Sequence, residues 1–326
     1  MNEVNETVCA VVVTYNRKKL LLECLEAIRR QTRTVQGIYI IDNASTDGTP
    51  GFLKENGYIN ELPPENLAEP WEKEFTIENL VDGQEIRVYY VRMYENTGSG
   101  GGFHEGVKRA YEKGYDWLWL MDDDGFPTRD CLEKLLRHRH IAHYIAPLVI
   151  SSEDRNRLSF GLGKNIKTRF DAYKYSENDI IEGVANPFNG ILIRRNIVEK
   201  VGNVLKDMFI WGDEYEYLLR VERAGYRIIT VVDSEFIHPE FSKHLLHKVC
   251  GRFWMTFDPN FGLKYKYGVR NAGYVLWRYD KLSLVKHILK AFCFFMIDRR
   301  LDLVNLYRFI ALTLKGIKGD LGRLDT

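Results

Sequence analysis

Two short, unbroken runs of apolar residues, 8–13 (VCAVVV) and 37–41 (GIYII), flank a segment in which Leu21, Cys24, Leu25 and Ile28 recur at i, i+3, i+4 and i+7. A run without polar alternation reads as a strand covered on both faces, and the intervening spacing reads as an amphipathic helix. A chain that opens β-α-β is thereby committed to an α/β fold with parallel strands, because parallel neighbours need a crossover between them. Both strands run into polar residues, Thr14-Tyr15-Asn16 and Asp42-Asn43. Open α/β sheets bind their ligands at that carboxyl edge.

The alternation pauses over residues 55–90. Between 55 and 85 there are nine acids against one base, Lys73, and Pro63, Pro64 and Pro70 prevent regular structure. Asp82-Gly83 is a hairpin signal between FTIENLV and EIRVYYV, so an acidic, solvated insertion ending in a hairpin or edge strand is expected. The pattern then resumes with a strand at 88–91, a glycine-rich turn, a helix at 103–113 and a strand at 117–121. Later come strands at 145–150 and 227–232, a polar stretch at 151–182, the apolar run 190–193 and a helix after Asp213. From Leu284 onward the period is purely helical. One stripe runs through Leu284, Ile288, Leu289, Phe292, Phe295 and Met296, and another through Leu303, Tyr307, Ile310 and Leu314. A boundary is expected near residue 250, separating a catalytic domain, 1–250, from a helical region, 251–326.

Composition removes several function classes. The 46 Lys and Arg balance 45 Asp and Glu, so bulk charge does not point to nucleic acid. No apolar run approaches the roughly 20 residues of a bilayer span, and residues 1–8 lack the pattern of a signal peptide. Five cysteines without a CxxC pair read as small buried hydrophobes in a reducing compartment. A cytoplasmic protein is expected.

Four places carry chemistry. Asp122, Asp123 and Asp124 follow the strand WLWLM directly; if the extended backbone continues, Asp122 and Asp124 share one face. They suit either a solvated acidic turn or a hard divalent cation, Mg²⁺ or Mn²⁺, completed by substrate phosphates. Residues 96–102 (NTGSGGG) lie between a strand and a helix, where bare backbone can approach a phosphate or sugar; a flexible turn is the other reading. Trp211-Gly212-Asp213-Glu214 opens a helix, so its acids serve as caps or dipole partners, or Asp213 serves as a general base. His238, after a strand, is either packed or a third ligand for Mn²⁺. His244 and His247 are weaker candidates.

Taken together, VVVTYNR (11–17), IDNASTDGT (41–49), NTGSGGGFHEG (96–106), WLWLMDDDG (117–125), FIWGDEYEYLLR (209–220), the His238 segment and YKYGVRNAGY (265–274) resemble the inverting family-2 glycosyltransferases of the GT-A fold. The chain is most similar to the bacterial galactofuranosyl- and rhamnosyltransferases of surface-polysaccharide synthesis. The resemblance implies a mixed, mostly parallel sheet flanked by helices, with a C-terminal helical extension. It implies that Thr14, Tyr15, Arg17 and Asp42 form the pocket for the nucleotide base and ribose. Asn96 and the glycines from Gly98 to Gly102 would lie along the donor sugar and its phosphates. Asp122 and Asp123 would lie toward the ribose, Asp124 and His238 would hold the metal with Asp122 in its shell, Asp213 would be the base, and Glu214 would bind acceptor.

The activity so implied is transfer of a sugar, galactofuranose from its UDP donor or rhamnose from its dTDP donor, to a glycan or lipid-linked glycan. Two other readings stand beside it: a metal-dependent nucleotidyltransferase, which would need a basic phosphate loop after the first strand that is missing here, and a nucleotide-sugar-binding module without turnover. Residues 281–326 carry nine Lys and Arg against four Asp. Their stripes would pack on protein, including a second copy of the chain, or rest on the inner face of the cytoplasmic membrane.

Overall fold

The computed structural model describes residues 6–163, 165–240, 246–251 and 253–324; His244 lies outside them. The chain divides into two compact units, one of residues 1–98, 102–204 and 220–241, the other of residues 99–101, 205–219 and 242–326.

The first unit is built on one mixed sheet. Its strands are β1 Val8–Thr14, β2 Gly37–Asp42, β3 Trp71–Glu78, β4 Glu85–Arg92, β5 Trp117–Asp122, β6 Phe126–Pro127, β7 Tyr144–Ser151, β8 Arg157–Leu162, β9 Ile166–Thr168, β10 Ile180–Glu182, β11 Asn189–Arg194 and β12 Ile228–His238. The main order is β10-β12-β7-β11-β5-β1-β2-β4-β3. The run β5-β1-β2-β4 is parallel throughout, as the buried apolar runs require. β3 pairs antiparallel with β4 through the Asp82-Gly83 turn and forms the acidic edge expected of the insertion. That edge is protected from further pairing by its charge.

Helices cover both faces. α1 Lys18–Arg29 buries Leu21, Cys24, Leu25 and Ile28 against Val8, Ala10 and Val12 of β1. The alternate residues Val11 and Val13 face α3 Gly98–Glu112. α3 begins at Gly98 rather than near 103, so the glycine run is helix rather than turn. Packing explains it: a Cβ at Gly102 would lie 2.5 Å from Val13 Cγ1, and one at Gly106 would overlap Val11. Glycine costs about 1 kcal/mol per site in a helix, and here it is offset by close helix–sheet approach. Shorter helices follow: α2 Thr49–Glu55, α4 Cys131–Arg137, α5 Arg169–Tyr175 and α6 Arg195–Val201. The polar stretch 151–182 is not wholly irregular. It contains β8, β9, β10 and α5, the last opened by a capping box between Thr168 and Asp171. β12 runs past 232 to His238, because a register shift between Val231 and Glu235 carries the polar residues through without ending the strand.

α7 Asp213–Arg223 is divided between the units at residue 219. The second unit otherwise contains the hairpin β13 Leu246–Val249 and β14 Phe253–Thr256, then α8 Leu263–Tyr279, α9 Lys281–Cys293, a π-helical turn Phe294–Asp298 and α10 Leu303–Lys318. Its core is aromatic, with Phe257, Phe261, Tyr265, Phe294, Phe295 and Phe309 in mostly edge-on contact. α8 and α10 approach at Gly273 and Gly316, where a Cβ would overlap the opposite backbone. The helical period expected here is present, but Leu303, Tyr307 and Leu314 lie exposed; the buried face of α10 is Phe309, Thr313 and Gly316. Among the described residues no helix is long and apolar enough to cross a membrane. All five cysteines are free; Cys9, Cys24 and Cys131 are buried as expected, whereas Cys250 is exposed.

Candidate active site

β5 ends at Asp122, and Asp123 and Asp124 fall in the turn beyond it. The strand alternation that would put Asp122 and Asp124 on one face therefore stops short of Asp124. Asp123 is buried, accepting from Thr14 Oγ1 at 2.6 Å and from Arg17 Nη1 at 3.0 Å. Burial pushes its pKa up to about 6, against the pull of Arg17 and Thr14. Arg17 Nη1 also donates to Asp124 Oδ2 at 2.5 Å. The other Asp124 oxygen, Oδ1, lies 3.1 Å from His238 Nε2. Burial works to raise the Asp124 pKa too, but the hydrogen bond and charge of His238, with the charge of Arg17, hold it below the usual carboxylate range.

The sheet delivers this histidine. β6, just after the acidic turn, pairs antiparallel with Phe236 and Ile237 of β12, so the next residue, His238, arrives opposite Asp124. Gly125 permits the crossing, since a Cβ there would overlap the Phe236 ring and lie 2.9 Å from the Ile237 carbonyl oxygen.

His238 Nδ1 lies 2.7 Å from the Pro239 carbonyl oxygen, which can only accept, so Nδ1 carries a proton. The Asp124 contact is then a hydrogen bond when Nε2 also carries a proton; without that proton Nε2 offers a lone pair that a metal ion would take, its other nitrogen fixed by a carbonyl as in metal-ligating histidines. Among the described residues no three His, Cys, Asp or Glu side chains are gathered to hold a metal ion by themselves. One carboxylate and one imidazole suit a cation that takes its remaining ligands from substrate phosphate and water.

The other nucleotide-side candidates occupy the same carboxyl edge. Tyr15 is exposed and Thr14 is buried. Asp42 is fully buried and engaged: Oδ1 accepts from the Ser45 amide at 2.9 Å, and Oδ2 accepts from Tyr90 Oη at 2.6 Å and Arg92 Nη1 at 2.7 Å. Its carboxylate shapes the loop after β2. Asn96 Oδ1 accepts from the Gly98 amide at 2.8 Å. Asn43 ties the two loops together, donating to the Gly98 carbonyl at 2.8 Å and accepting from the Thr97 amide at 2.9 Å. Asn43 carries a sequence signal in its place beside Asp42 at a strand end, whereas Arg92 carries none.

In the second unit, Asp213 is fully buried at the start of α7. Ser99 Oγ lies 3.3 and 3.2 Å from its two carboxylate oxygens. Glu214 turns back to accept from the Gly212 amide at 3.1 Å. The preceding loop is held in an unusual path: Phe209 and Trp211 have φ of 63° and 62°, the left-handed region that costs a bulky residue energy. Asn271 of α8 supports it, its Nδ2 lying 2.9, 3.1 and 2.8 Å from the carbonyl oxygens of Met208, Ile210 and Trp211. Beside it the buried Arg270 donates to the carbonyls of Asp207, Met208, Leu321 and Gly322. Arg270 and Asn271, in the segment 265–274, form the clamp on the loop that leads into Asp213.

The family model described as glycosyl transferase family 2 matches residues 9–59 and 73–202. The galactofuranosyltransferase GlfT1 of Mycolicibacterium smegmatis is 30% identical over 317 residues, 94% of this chain and 95% of that protein. GlfT1 of Mycobacterium tuberculosis is 29% identical over 98% of both chains. Among solved structures, GalNAc-T7 with UDP, GalNAc and Mn²⁺ superposes with a TM-score of 0.54 at 15% identity, over 84% of this chain; the chain spans 49% of that structure's length. TarS of S. aureus, residues 1–349 with UDP, gives 0.50 at 12% identity over 90% of this chain and 73% of that one. With the family model matching more than half of its residues and a 30% identical curated relative aligned over nearly the whole chain, the chain belongs to glycosyl transferase family 2.

Proposed function

We propose that this glycosyltransferase moves galactofuranose from UDP-galactofuranose to a hydroxyl of a glycan or lipid-linked glycan in surface-polysaccharide synthesis, with inversion at the anomeric carbon. The observation that carries the donor assignment is the 30% identity to a galactofuranosyltransferase over nearly the whole of both chains. UDP in the complexes of GalNAc-T7 and TarS supports a uridine diphosphate leaving group.

Thr14, Tyr15, Arg17 and Asp42 surround the base and ribose, with Asp122 and Asp123 toward the ribose. Asn96 and the first turns of α3, from Gly98 to Gly102, lie along the diphosphate and sugar, where helix N–H groups favour an anion. Arg17, shared by Asp123 and Asp124, fixes both carboxylates. Asp213 takes the proton from the acceptor hydroxyl as its oxygen bonds to the anomeric carbon and the bond to the diphosphate breaks. Proton removal of this kind contributes about 10²- to 10⁴-fold. Glu214 holds the acceptor, and Ser99 orients Asp213. Asp124 and His238, with Asp122, would hold a Mn²⁺ or Mg²⁺ ion, which would supply neutralisation of the charge that develops on the departing diphosphate.

A donor panel tests the reading. UDP-galactofuranose, dTDP-rhamnose and UDP-hexopyranoses are offered with Mn²⁺ and glycan acceptors, and nucleoside diphosphate release is followed. Acceptor-stimulated UDP release from UDP-galactofuranose is expected; turnover of dTDP-rhamnose alone would overturn the donor assignment.

A further inference from the structure

α9 is apolar on two opposite faces. Leu284 and Ala291 are buried in the unit's own core, while Leu282, Val285, Leu289 and Phe292, at i, i+3, i+7 and i+10, are 51–65% exposed. That spacing places the four along one stripe, roughly opposite the buried one. The stripe continues through the corner between the helices, where Ile297 and Leu301 are 63% and 64% exposed. It runs on into the first turns of α10, where Leu303 and Tyr307 are 60% and 75% exposed. Arg300 and Leu301 both hold positive φ, 51° and 67°. The corner is pinned by amide bonds from Arg299, Leu301 and Asp302 to the carbonyls of Phe294, Met296 and Phe295. An exposed apolar run of this extent is more than scattered surface residues produce.

The charge around it is mostly basic. Lys286, Arg299, Arg300, Arg308 and Lys315 are exposed beside the stripe. Of the corner's two acids, Asp298 accepts from the Cys250 amide at 3.0 Å, and Asp302 caps α10 through the Asn305 amide at 3.2 Å and lies 3.9 Å from Arg299 Nε. A second copy of the chain seated symmetrically on this face would bring two mostly basic surfaces together. At about 1.5 Å per residue, α9 and α10, of 13 and 16 residues, are shorter than a bilayer's hydrocarbon core of about 30 Å. We propose that this helical corner docks on the surface of an anionic lipid bilayer, with the apolar stripe in the headgroup–acyl boundary and the basic residues on lipid phosphates. The inference stands on the second unit alone and is independent of which donor the enzyme uses.

The test is co-sedimentation of the full chain with vesicles of phosphatidylglycerol and phosphatidylcholine, or of phosphatidylcholine alone. Binding to the anionic vesicles is expected, weakening with salt and falling about fivefold in partition coefficient for each Lys or Arg neutralised. Arg299→Glu with Arg300→Glu, and separately Phe292→Ser with Tyr307→Ser, should each lower it more than tenfold. The Arg299→Lys, Arg300→Lys variant should retain it, and all variants should melt like the parent. Absence of binding to anionic vesicles overturns the proposal, as does equal binding to neutral vesicles that charge reversal leaves unchanged. A concentration-dependent dimer abolished by Phe292→Ser, with no vesicle binding, would assign the face to a second copy instead.

Discussion

His238 Nε2 and Asp124 Oδ1 face each other at 3.1 Å, although 114 positions separate them in the chain. The β6–β12 pairing and Gly125 impose the approach, and the Pro239 carbonyl holds the ring's other nitrogen as a donor. His238→Ala should therefore raise the Mn²⁺ concentration needed for half-saturation of the UDP-bound protein by at least tenfold. Calorimetric or EPR titration measures this directly. An unchanged Mn²⁺ titration would return His238 to a packing role.

Asn271→Leu should take the side-chain donor from the carbonyls of Ile210 and Trp211, while the Met208 carbonyl keeps Arg270. A buried carbonyl left without a donor costs about 1–3 kcal/mol, so the melting temperature should fall. Turnover should fall further than the affinity for UDP, because the clamped loop leads into Asp213. A variant as stable and as active as the parent would remove the clamp from the account.

Gly106→Ala pits helix propensity against space. In an open helix the change would gain about 1 kcal/mol, but here the new methyl overlaps Val11, a stiff β-branched side chain on the central strand. Overpacking costs about 1–3 kcal/mol, so net destabilisation is expected from urea midpoints. A stabilised variant would show that α3 is free to move away from β1.

His287 packs on Phe309, and its Nε2 has no hydrogen-bond partner among the described residues. Burial, aided by the charge of Lys290, pushes its pKa down from 6.5 to about 4. Between those values the unfolded chain binds the proton that the folded chain refuses. Stability is thus fully present above about pH 6.5 and drains as pH falls toward 4, by up to about 3 kcal/mol. Unfolding free energies at pH 7.5 and 4.5 should show this slope in the parent and a shallower one in His287→Leu. Equal slopes would contradict it.

The parallel half of the sheet was legible because β1, β2 and β5 are buried on both faces and so carry uninterrupted apolar runs. The carboxyl-edge positions of Thr14, Asp42 and Asp122 follow from the same runs. The glycines at 98–102 read in sequence as a turn because glycine is a poor helix former; only the contact of Gly102 with Val13, and of Gly106 with Val11, shows why a helix tolerates them. In sequence β12 reads as ending at 232 because a register shift hides its continuation, and with it the reason His238 meets Asp124. The helical period of α10 was visible, but several of its large apolar residues face outward, and period alone does not say which side meets a core. Arg270 is a buried cation satisfied by carbonyls, and backbone partners leave no trace in side-chain pattern.

The central claim is that sugar leaves a uridine diphosphate as Asp213 removes the acceptor's proton. Comparing UDP release from UDP-galactofuranose by the parent and by Asp213→Asn, with UDP affinity measured alongside, tests it most directly. The account predicts a loss of about 10²-fold or more in turnover with UDP affinity within a few-fold of the parent. Full turnover by Asp213→Asn would contradict it.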